Sequence, residues 1–409
     1  MISPANKRCL RRCLRWRTLR LVVGLFCLVN VLDVLRVHDN LTRGEGGRDA
    51  SGPSRHERVY IASMHFNNGD VLRHHWNDAV TRLVEVLGPA NVFVSIFESG
   101  SWDDSKEVLG HLEAALARRG VPHLVETSNT THRDEMAGER KGEGWIDTPR
   151  NRRELRRIPY LARLRNRTIK DLVDLHGKGV TFDKVLFLND VVFTTDDVLT
   201  LMDTNGGEYA AACSLDFAKP PLYYDTFALR DAAGRGHVMQ TWPYFGGSQS
   251  RNALVKHVDA VPVTSCWNGI VVMPAEPFVS STAPLRFRGV PDSLALHHVE
   301  GSECCLIHAD NPLSRTLGVY LNPRVRVGYN LAAYQATHRG GAWVSAWDVF
   351  TGLWANRMRR WTAQLTLERA LVQRRVGRWE RERADNHEPG VFCLVNEMQV
   401  LAENGWAHV

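Results

Sequence analysis

The sequence predicts an α/β domain, a mixed sheet flanked by helices, behind an N-terminal membrane anchor. Hydrophobic residues make up 44% of the 409-residue chain and charged residues 23%, which is enough apolar side chain for a sizeable core. Apolar runs with strand character alternate with segments of helical spacing over residues 58–120. The first 37 residues differ from the rest, because a basic stretch there precedes an apolar one.

The N-terminal segment is predicted to be a signal anchor. Residues 1–20 carry seven Lys or Arg side chains and no acid, and Leu21 to Leu32 is polar only at Asn30. A cleaved signal peptide is the alternative, but Asp33 to Asp39 is charged and bulky and offers no small-x-small cleavage site. The predicted anchor spans residues 21–37, and the positive-inside rule places the basic tail in the cytosol and the remainder in the lumen.

The charge distribution argues against nucleic-acid binding. The net charge is +6, which the seven positive charges of the tail exceed, so the rest of the chain is close to neutral. No basic stripe interleaved with aromatic residues occurs beyond the tail. A luminal location agrees with three sequons, at Asn40, Asn129 and Asn166, and with five cysteines beyond the anchor, an odd number that leaves at least one unpaired in a monomer.

Residue spacing predicts the elements in order. Residues 38–57 are polar and rich in Gly and Ser, which predicts a flexible stem. Residues 127–150 lack an apolar period and are predicted to be a surface loop. The alternation of strand and helix implies parallel pairing. Strands are predicted at 58–66, 91–99, 182–193, 209–217, 266–274 and 324–330, and helices at 70–88, 103–120 and 152–179, the last broken near Pro159.

The composition changes after residue 330. Residues 331–409 place tryptophans among arginines and are predicted to form a helical C-terminal appendage to a main domain of residues 58–330. We expect the Trp and Arg side chains to pack onto that domain. The alternatives are that they line a groove or face a membrane.

The stretch Lys184 to Phe193, KVLFLNDVVF, carries the first functional hypothesis. Asn189 and Asp190 interrupt an apolar strand at its carboxyl end, where open α/β sheets bind ligands. A carboxylate there is costly unless it is paired or bound to metal, and Mg²⁺ or Mn²⁺ shared with a substrate diphosphate would satisfy it. The structural alternative is a strand-ending Asn-Asp turn.

Further polar and aromatic side chains follow the other predicted strands. Arg163 and Arg165 on a helix suit a diphosphate. One carboxylate follows an apolar strand, and another lies among aromatic residues. A tryptophan and an asparagine precede another strand. One short stretch holds a glutamate, a histidine and an aspartate. Each has an ordinary alternative as a cap, a turn or a core residue. These candidates are Asp216, Asp225, Trp267, Asn268, Glu303, His308 and Asp310.

The blocks FLND, LDF, YDT and SCWNG, in this order within residues 58–330, resemble the fungal capsule-associated mannosyltransferase family, which includes cryptococcal α-1,3-mannosyltransferase. The resemblance implies a type II Golgi membrane glycosyltransferase with a GT-A-like domain. It also implies a GDP-mannose donor, a mannan or other glycan acceptor, a divalent cation, Mn²⁺ or Mg²⁺, and an α-1,3 linkage formed with retention.

Roles carried over from the resemblance are assigned by position. This chain has Leu-Asn-Asp where such enzymes have Asp-x-Asp, so one carboxylate is missing and another ligand is expected from elsewhere. The implied roles are donor binding by Arg165, Asn189 and Asp190, acceptor binding by Trp267 and Asn268, metal binding by Asp190 with His308 or Asp310, and catalysis by Glu303, the preferred carboxylate, or by Asp216 or Asp225.

Two alternatives to this function stay open. The same fold could transfer another sugar, such as xylose or glucuronic acid, or could serve as a non-catalytic luminal factor in capsule or cell-wall glycan assembly or export. A hydrolase is disfavoured, because a strand-end carboxylate with a basic helix suits an anionic donor. A glycan on Asn166, inside the family-like LRN block, would obstruct the donor site, so glycosylation is predicted at Asn40 and Asn129 and not at Asn166.

Overall fold

A ten-stranded mixed sheet organises the main domain. The computed structural model describes residues 4–46, 57–362 and 365–409. The strands are β1 Val59–His65, β2 Val92–Glu98, β3 His123–Thr127, β4 Trp145–Thr148, β5 Arg152–Leu155, β6 Lys184–Leu188, β7 Ala211–Lys219, β8 Leu222–Tyr223, β9 Arg230–Asp231, β10 Val261–Ser265, β11 Ile270–Pro274, β12 Glu300–Gly301, β13 Val319–Gly328, β14 Leu394–Val395, β15 Gln399–Ala402 and β16 Gly405–His408.

The helices lie against the sheet and at the two ends of the chain. They are α1 Pro4–Gly46, α2 Gly69–Val71, α3 Asn77–Leu87, α4 Ser105–Arg118, α5 His132–Ala137, α6 Arg157–Thr168, α7 Lys170–Gly177, α8 Thr195–Met202, α9 Ser248–Val255, α10 Glu276–Val279, α11 Asp292–Ala295, α12 Glu303–Asp310, α13 Leu331–Thr337, α14 Ala346–Thr362 and α15 Leu365–Glu380. A π-helical turn, Leu72–Trp76, joins α2 to α3.

The sheet order β3-β2-β1-β6-β11-β7-β13-β10-β9 fixes where the polar strand ends meet. The strands β3, β2, β1 and β6 are parallel, as the alternation of strand and helix predicts. β11 runs antiparallel between β6 and β7, and β13 is parallel to β7. The predicted α/β class with a mixed sheet is confirmed. The carboxyl ends of β6, β7 and β13 and the start of β11 therefore share one edge.

Both faces of the sheet are covered, which explains the uninterrupted apolar runs of the strands. Alternate residues of a strand point to opposite faces. On β1, Tyr60 and Ala62 pack in one core, and Val59 and Ile61 pack in the other. The second core holds α3, α4 and α8 against the sheet, through residues such as Leu83.

Two predicted segments differ in the structure. The predicted loop 127–150 contains α5 and β4, and β4 pairs with β5 at Trp145↔Leu155. The predicted helix 152–179 is a short strand followed by two helices that separate at Ile169. Pro159 does not break α6, because it lies in the first turn, where its missing N–H has no helical partner to lose.

The N-terminal helix is longer than the predicted anchor. Residues 16–44 of α1 are long and apolar enough to cross a membrane, and an 18-residue window within them has a mean hydropathy of 2.0. Residues 38–46, which were predicted to belong to a flexible stem, continue the helix. The reason is packing, since Val37 and Leu41 are buried in the core of the main domain.

The C-terminal segment is helical only in its first part. α13, α14 and α15 are followed by β14, β15 and β16, and β14 pairs with β12 of the main domain. Trp379 is 2% exposed and donates from Nε1 to Ser293 Oγ at 3.0 Å, which is the packing expected of this segment. Trp347 and Trp361 are instead exposed.

Two disulfides link distant parts of the chain. Cys213 of β7 bonds to Cys266 before β11, and Cys305 of α12 bonds to Cys393 before β14. Of the five cysteines beyond the predicted anchor, Cys304 is the one outside these two disulfides, and it is buried. The second bond fastens the C-terminal segment beside Glu303, one of the candidate site residues.

Candidate active site

The backbone and side chain of Asn189, rather than the carboxylate of Asp190, hold the end of β6 in place. The Asn189 backbone N–H donates to Gly269 O at 2.9 Å, and the Asn189 carbonyl accepts from Trp76 Nε1 at 3.0 Å. The Asn189 side-chain oxygen accepts from Trp267 Nε1 at 3.2 Å. These three bonds fix the direction in which the next residue, Asp190, leaves the strand.

Asp190 is partly buried at the edge of the sheet. Asn68, on the loop after β1, donates from Nδ2 to Asp190 Oδ2 at 2.7 Å. Burial raises the pKa of Asp190, and the charge of Arg165 acts in the opposite direction. Sequence reasoning missed Asn68, although Asn-Asn-Gly directly after a strand that pairs with β6 was a usable turn signal.

The turn before β11 explains the Trp-Asn-Gly block. Asn268 has a φ of 43° and Gly269 a φ of 92°, the left-handed region that Asn and Gly tolerate best. A Cβ on Gly269 would lie 2.5 Å from Val327 Cγ2, so no larger residue fits. The turn directs the Asn268 amide into the sheet edge, where it donates to Asp216 Oδ1 at 2.9 Å.

Asp216 and Asp225 are adjacent acids in the site. Asp216 Oδ1 accepts from the Asp225 backbone N–H at 3.1 Å, and Asp216 Oδ2 accepts from Tyr329 OH at 3.2 Å. Asp225 Oδ1 accepts from the backbone N–H groups of Phe227 and Ala228, both at 3.0 Å. Burial, and after it the charge of Asp225, raises the pKa of Asp216 to about 7. Burial also raises the pKa of Asp225.

Arg165 is held against the cleft wall by two neighbours. Its Nε donates to Glu303 Oε1 at 2.9 Å, and its guanidinium lies 4.5 Å from the centre of the Trp267 ring. Cys304 Sγ also contacts Glu303 Oε1, at 3.3 Å. The predicted neighbour Arg163 points elsewhere and pairs with Glu135 at 2.7 Å on the surface.

A cleft of about 1220 Å³ opens over these groups. Arg165, Asn189, Asp225, Trp267 and Glu303 line it. Asp216 and Asn268 are fully buried, and Asp190, which is partly exposed, follows the lining residue Asn189. Seven arginines and four acids are among its lining residues, so the cleft suits an anionic ligand. The arginines are Arg157, Arg165, Arg230, Arg235, Arg359, Arg360 and Arg369, and the acids are Asp225, Glu303, Glu368 and Glu397.

Aromatic residues that sequence reasoning missed also line the cleft. Tyr224 and Trp406 are 50% and 43% exposed, and Tyr329 lies 4.6 Å from Tyr224, ring centre to ring centre. Trp406 comes from the C-terminal hairpin of β15 and β16, more than 180 residues from Tyr224 in sequence. Only the fold could reveal this contribution.

The two predicted acceptor residues have internal partners instead. Trp267 is 1% exposed, and Arg165 and Phe187 pack against it. Asn268 is fully buried, and its amide bonds to Asp216 and to the Asp225 carbonyl. Both side chains are therefore held by internal contacts, whereas Tyr224 and Trp406 are exposed at the cleft.

His308 and Asp310, the predicted partners of Asp190 in metal binding, each bond to another group. His308 is 1% exposed and bonds through Nε2 to the Cys266 carbonyl at 2.6 Å, and burial lowers its pKa to about 4. Asp310 accepts from Arg288 at 2.6 and 3.0 Å. Neither is among the described residues that line the cleft. α12 turns both side chains toward structural partners.

One cluster of cysteine and histidine side chains is compact enough for a metal site, but it cannot bind an ion. Cys213, Cys266 and His308 place their ligand atoms within 4.8 Å of one another. The two sulfurs are joined in a disulfide, so no thiolate is available. No other group of three such ligands was found among the described residues.

Peptide mapping of the protein expressed in eukaryotic cells is expected to find Asn166 unmodified. Its Nδ2, the atom that would carry a glycan, donates to Phe287 O at 2.7 Å, and its Oδ1 accepts from Phe287 N–H at 2.9 Å. The sequon lies in α6, and its Thr168 is 3% exposed.

Asn129 is the matched internal control, because it is exposed on a loop and is predicted to be occupied. Asn40 lies half-buried within α1, and its glycosylation stays a prediction. Full glycan occupancy at Asn166 would contradict the packing of α6 against the segment that contains Phe287.

The site lies at the strand ends of a mixed sheet, above an arginine-rich cleft, and the family to which the chain belongs makes this protein a glycosyltransferase. More particularly, the chain belongs to the family described as Cryptococcal mannosyltransferase 1, which matches residues 58–310, more than half of its length. No curated protein matches the chain.

Solved structures with a related fold are distant. The mannosyltransferase PcManGT from Pyrobaculum calidifontis, solved with GDP-Man and Mn²⁺, has 10% identity and a TM-score of 0.35, with coverage of 91% of this chain and 79% of that one. Staphylococcus aureus TarS 1–349, solved with UDP, has 8% identity and a TM-score of 0.34, with coverage of 66% and 60%. At these values the similarities carry no information on substrate.

Proposed function

We propose that this protein transfers mannose from GDP-mannose to a glycan acceptor such as a mannan. The linkage formed is α-1,3 with retention, and the enzyme is a type II Golgi membrane protein that depends on Mn²⁺ or Mg²⁺. Family membership supports the sugar and the reaction class. The observation that carries the proposal is the convergence of the β6 end, the Asn268 turn and the Asp216–Asp225 pair at one edge of the sheet.

The residues at this edge fit a divalent cation shared with a diphosphate. Asp190 is a partly buried carboxylate whose pKa is raised by burial, so a nearby cation would offset an unfavourable charge. Mg²⁺ and Mn²⁺ typically take one or two protein carboxylates and complete their shell with phosphate and water. Asp190 would hold the ion, and Asp225, which faces the cleft, is the second carboxylate at the same edge. The cation, when bound, neutralises charge on the leaving diphosphate.

Arg165 supplies fixed positive charge to the donor. Its position between Glu303 and the Trp267 ring leaves part of the guanidinium at the cleft wall. A guanidinium so held binds phosphate without first losing side-chain freedom. Glu303 was the preferred catalytic carboxylate, but its bond to Arg165 assigns it to orientation of that arginine.

Asp225 is the carboxylate best placed to face the transferred sugar. It lines the cleft, and two backbone N–H groups and the neighbouring Asp216 fix its direction. Asp216 is fully buried and reaches Asp225 through its backbone, so we assign it a positioning role. A carboxylate beside the anomeric carbon would stabilise the positive charge that develops as the diphosphate leaves.

Calorimetry on the full chain in detergent tests this proposal. We expect GDP-mannose to bind in the presence of Mn²⁺ and to lose that binding in EDTA, whereas UDP-glucuronic acid and UDP-xylose do not bind. Transfer to α-mannobiose with NMR of the product then tests linkage and retention. Binding of a different nucleotide sugar would overturn the mannose assignment, and absence of binding to all three donors would favour a non-catalytic luminal factor.

A further inference from the structure

One face of α14 carries an exposed apolar stripe that the proposed chemistry does not use. We define the Trp stripe as Trp347, Phe350, Trp354, Met358 and Trp361. The steps between these residues are three or four positions, which puts them on a single helix face. Trp347, Met358 and Trp361 are 70%, 52% and 67% exposed. Such a contiguous apolar surface in a described helix calls for a covering partner.

The opposite face of α14 fixes the rotation of the helix. Val349, Gly352 and Asn356 are buried against the main domain. Asn356 Nδ2 donates to Phe245 O at 3.0 Å, and a Cβ on Gly352 would lie 2.4 Å from Trp242 O. The helix cannot turn its Trp stripe inward without losing these contacts, so the exposure of the stripe is built into the fold.

The Trp stripe continues the apolar surface of α1. Trp354 donates from Nε1 to Asn30 Oδ1 at 2.8 Å, and its ring lies 5.6 Å from that of Phe26. Arg357 pairs with Asp33 at 3.3 Å. These contacts satisfy Asn30 and Asp33, two polar positions of the predicted anchor segment. The remaining apolar side chains of α1 stay exposed beside α14, among them Leu21, Leu25, Leu28 and Leu32.

We propose that the Trp stripe inserts into the luminal leaflet of the membrane next to the anchor helix. This inference rests on the proposed membrane anchoring. Continuity with α1 identifies the partner as lipid, because α14 contacts α1 at Phe26, Asn30 and Asp33, which lie within the predicted anchor, so a helix that crosses the bilayer there brings the stripe into contact with lipid. Tryptophan is enriched at membrane–water interfaces, and an amphipathic helix lies there with its apolar face in the lipid.

Docking of this face also orients the cleft. Arg359 and Arg360 of the same helix line the cleft, a few residues from Trp361. An immobilised α14 therefore holds one wall of the cleft at the membrane surface. An acceptor that is itself attached to the membrane would reach such a cleft without leaving the surface.

Quenching of tryptophan fluorescence by brominated lipid tests the inference on the full chain in nanodiscs. We expect the double substitution Trp347→Phe/Trp361→Phe to lower the bromolipid-quenched share of the emission. Trp102→Phe is the matched control, since Trp102 is 50% exposed on the main domain, and it should leave that share unchanged. Phenylalanine preserves apolar character, so the fold should be retained.

The same samples are titrated with GDP-mannose to keep the two proposals separable. An unchanged quenched share in the double variant, with donor binding intact, overturns membrane docking and leaves the proposed function standing. If such samples also run as dimers in detergent, a second copy covers the stripe. If the wild-type protein does not bind GDP-mannose, the proposed function is contradicted. The quenching result then still tests whether the Trp stripe contacts lipid.

Discussion

Replacement of Asp190 by Asn is expected to reduce mannose transfer by roughly 10²–10³-fold, which is typical for loss of one electrostatic group at a transition state. The substitution keeps the shape and can still accept the bond from Asn68, but it removes the charge. Calorimetry should show that the Mn²⁺-dependent part of GDP-mannose binding is lost along with transfer.

Asp196→Asn is the control for a general effect of lost charge. Asp196 is an exposed acid in the first turn of α8, so its removal should cost only a few tenths of a kcal/mol in stability. Transfer by this variant should equal that of wild type. Metal-dependent donor binding that survives in Asp190→Asn would locate the cation elsewhere, and Asp225 would be the next carboxylate to replace.

The largest expected effect on stability is at Arg156, which is fully buried below the cleft. Its guanidinium bonds to both oxygens of Glu300 at 2.8–3.1 Å, to Asp292 at 2.7 Å and to the Val290 carbonyl at 2.9 Å. Arg156→Met should lower the free energy of unfolding by about 3–5 kcal/mol, because Glu300 is left charged and unpaired in the interior.

A double variant distinguishes the effect of losing the ion pair on stability from the effect of losing side-chain packing. Arg156→Met/Glu300→Gln removes both charges and should recover much of the stability, as measured by denaturant unfolding in detergent. Arg163→Ala breaks the surface pair with Glu135 and should cost less than about 1 kcal/mol. A cost at Arg156 as small as that at Arg163 would show that Glu300 is solvated or neutral.

Arg156 also shows that contacts between residues far apart in sequence cannot be predicted from local residue patterns. It was read as part of a long helix, yet it sits between β5 and α6, and its partners are 134–144 residues away. β12, which contains Glu300, pairs with β14 near the C-terminus. The ion pair thus joins two distant parts of the main domain, and the β12–β14 pairing and a backbone bridge from Arg156 to Val400 link them to the C-terminal segment, contacts that no local spacing encodes.

The strand-end hypothesis at β6 shows the opposite case. An apolar run that stops at an amide and a carboxylate is local information, and parallel pairing then places that end beside those of β1, β7 and β13. This feature required no contact between distant residues beyond the sheet order, and that is why it could be predicted. Asn268 and Gly269 were instead included in the predicted strand 266–274, whereas β11 begins at Ile270, after the turn that these two residues form.

The ligand candidates on α12 have different partners for a physical reason. A helix of eight residues points its side chains in all directions, so Glu303, His308 and Asp310 need not face the same space. Glu303 faces the cleft, His308 enters the core, and Asp310 turns to Arg288. Proximity in sequence gave no information on which of the three would reach Asp190.

The sequence by itself determined the α/β class, the apolar N-terminal helix, the odd cysteine and the carboxylate at the end of β6, because each depends on neighbours in the chain. The tertiary structure decided that Asp225 faces the cleft, that Trp267 and Asn268 are buried, and that the C-terminal hairpin supplies Trp406. Those outcomes depend on which surfaces exclude water when segments far apart in sequence pack together, and the burial of each side chain is a property of the whole fold.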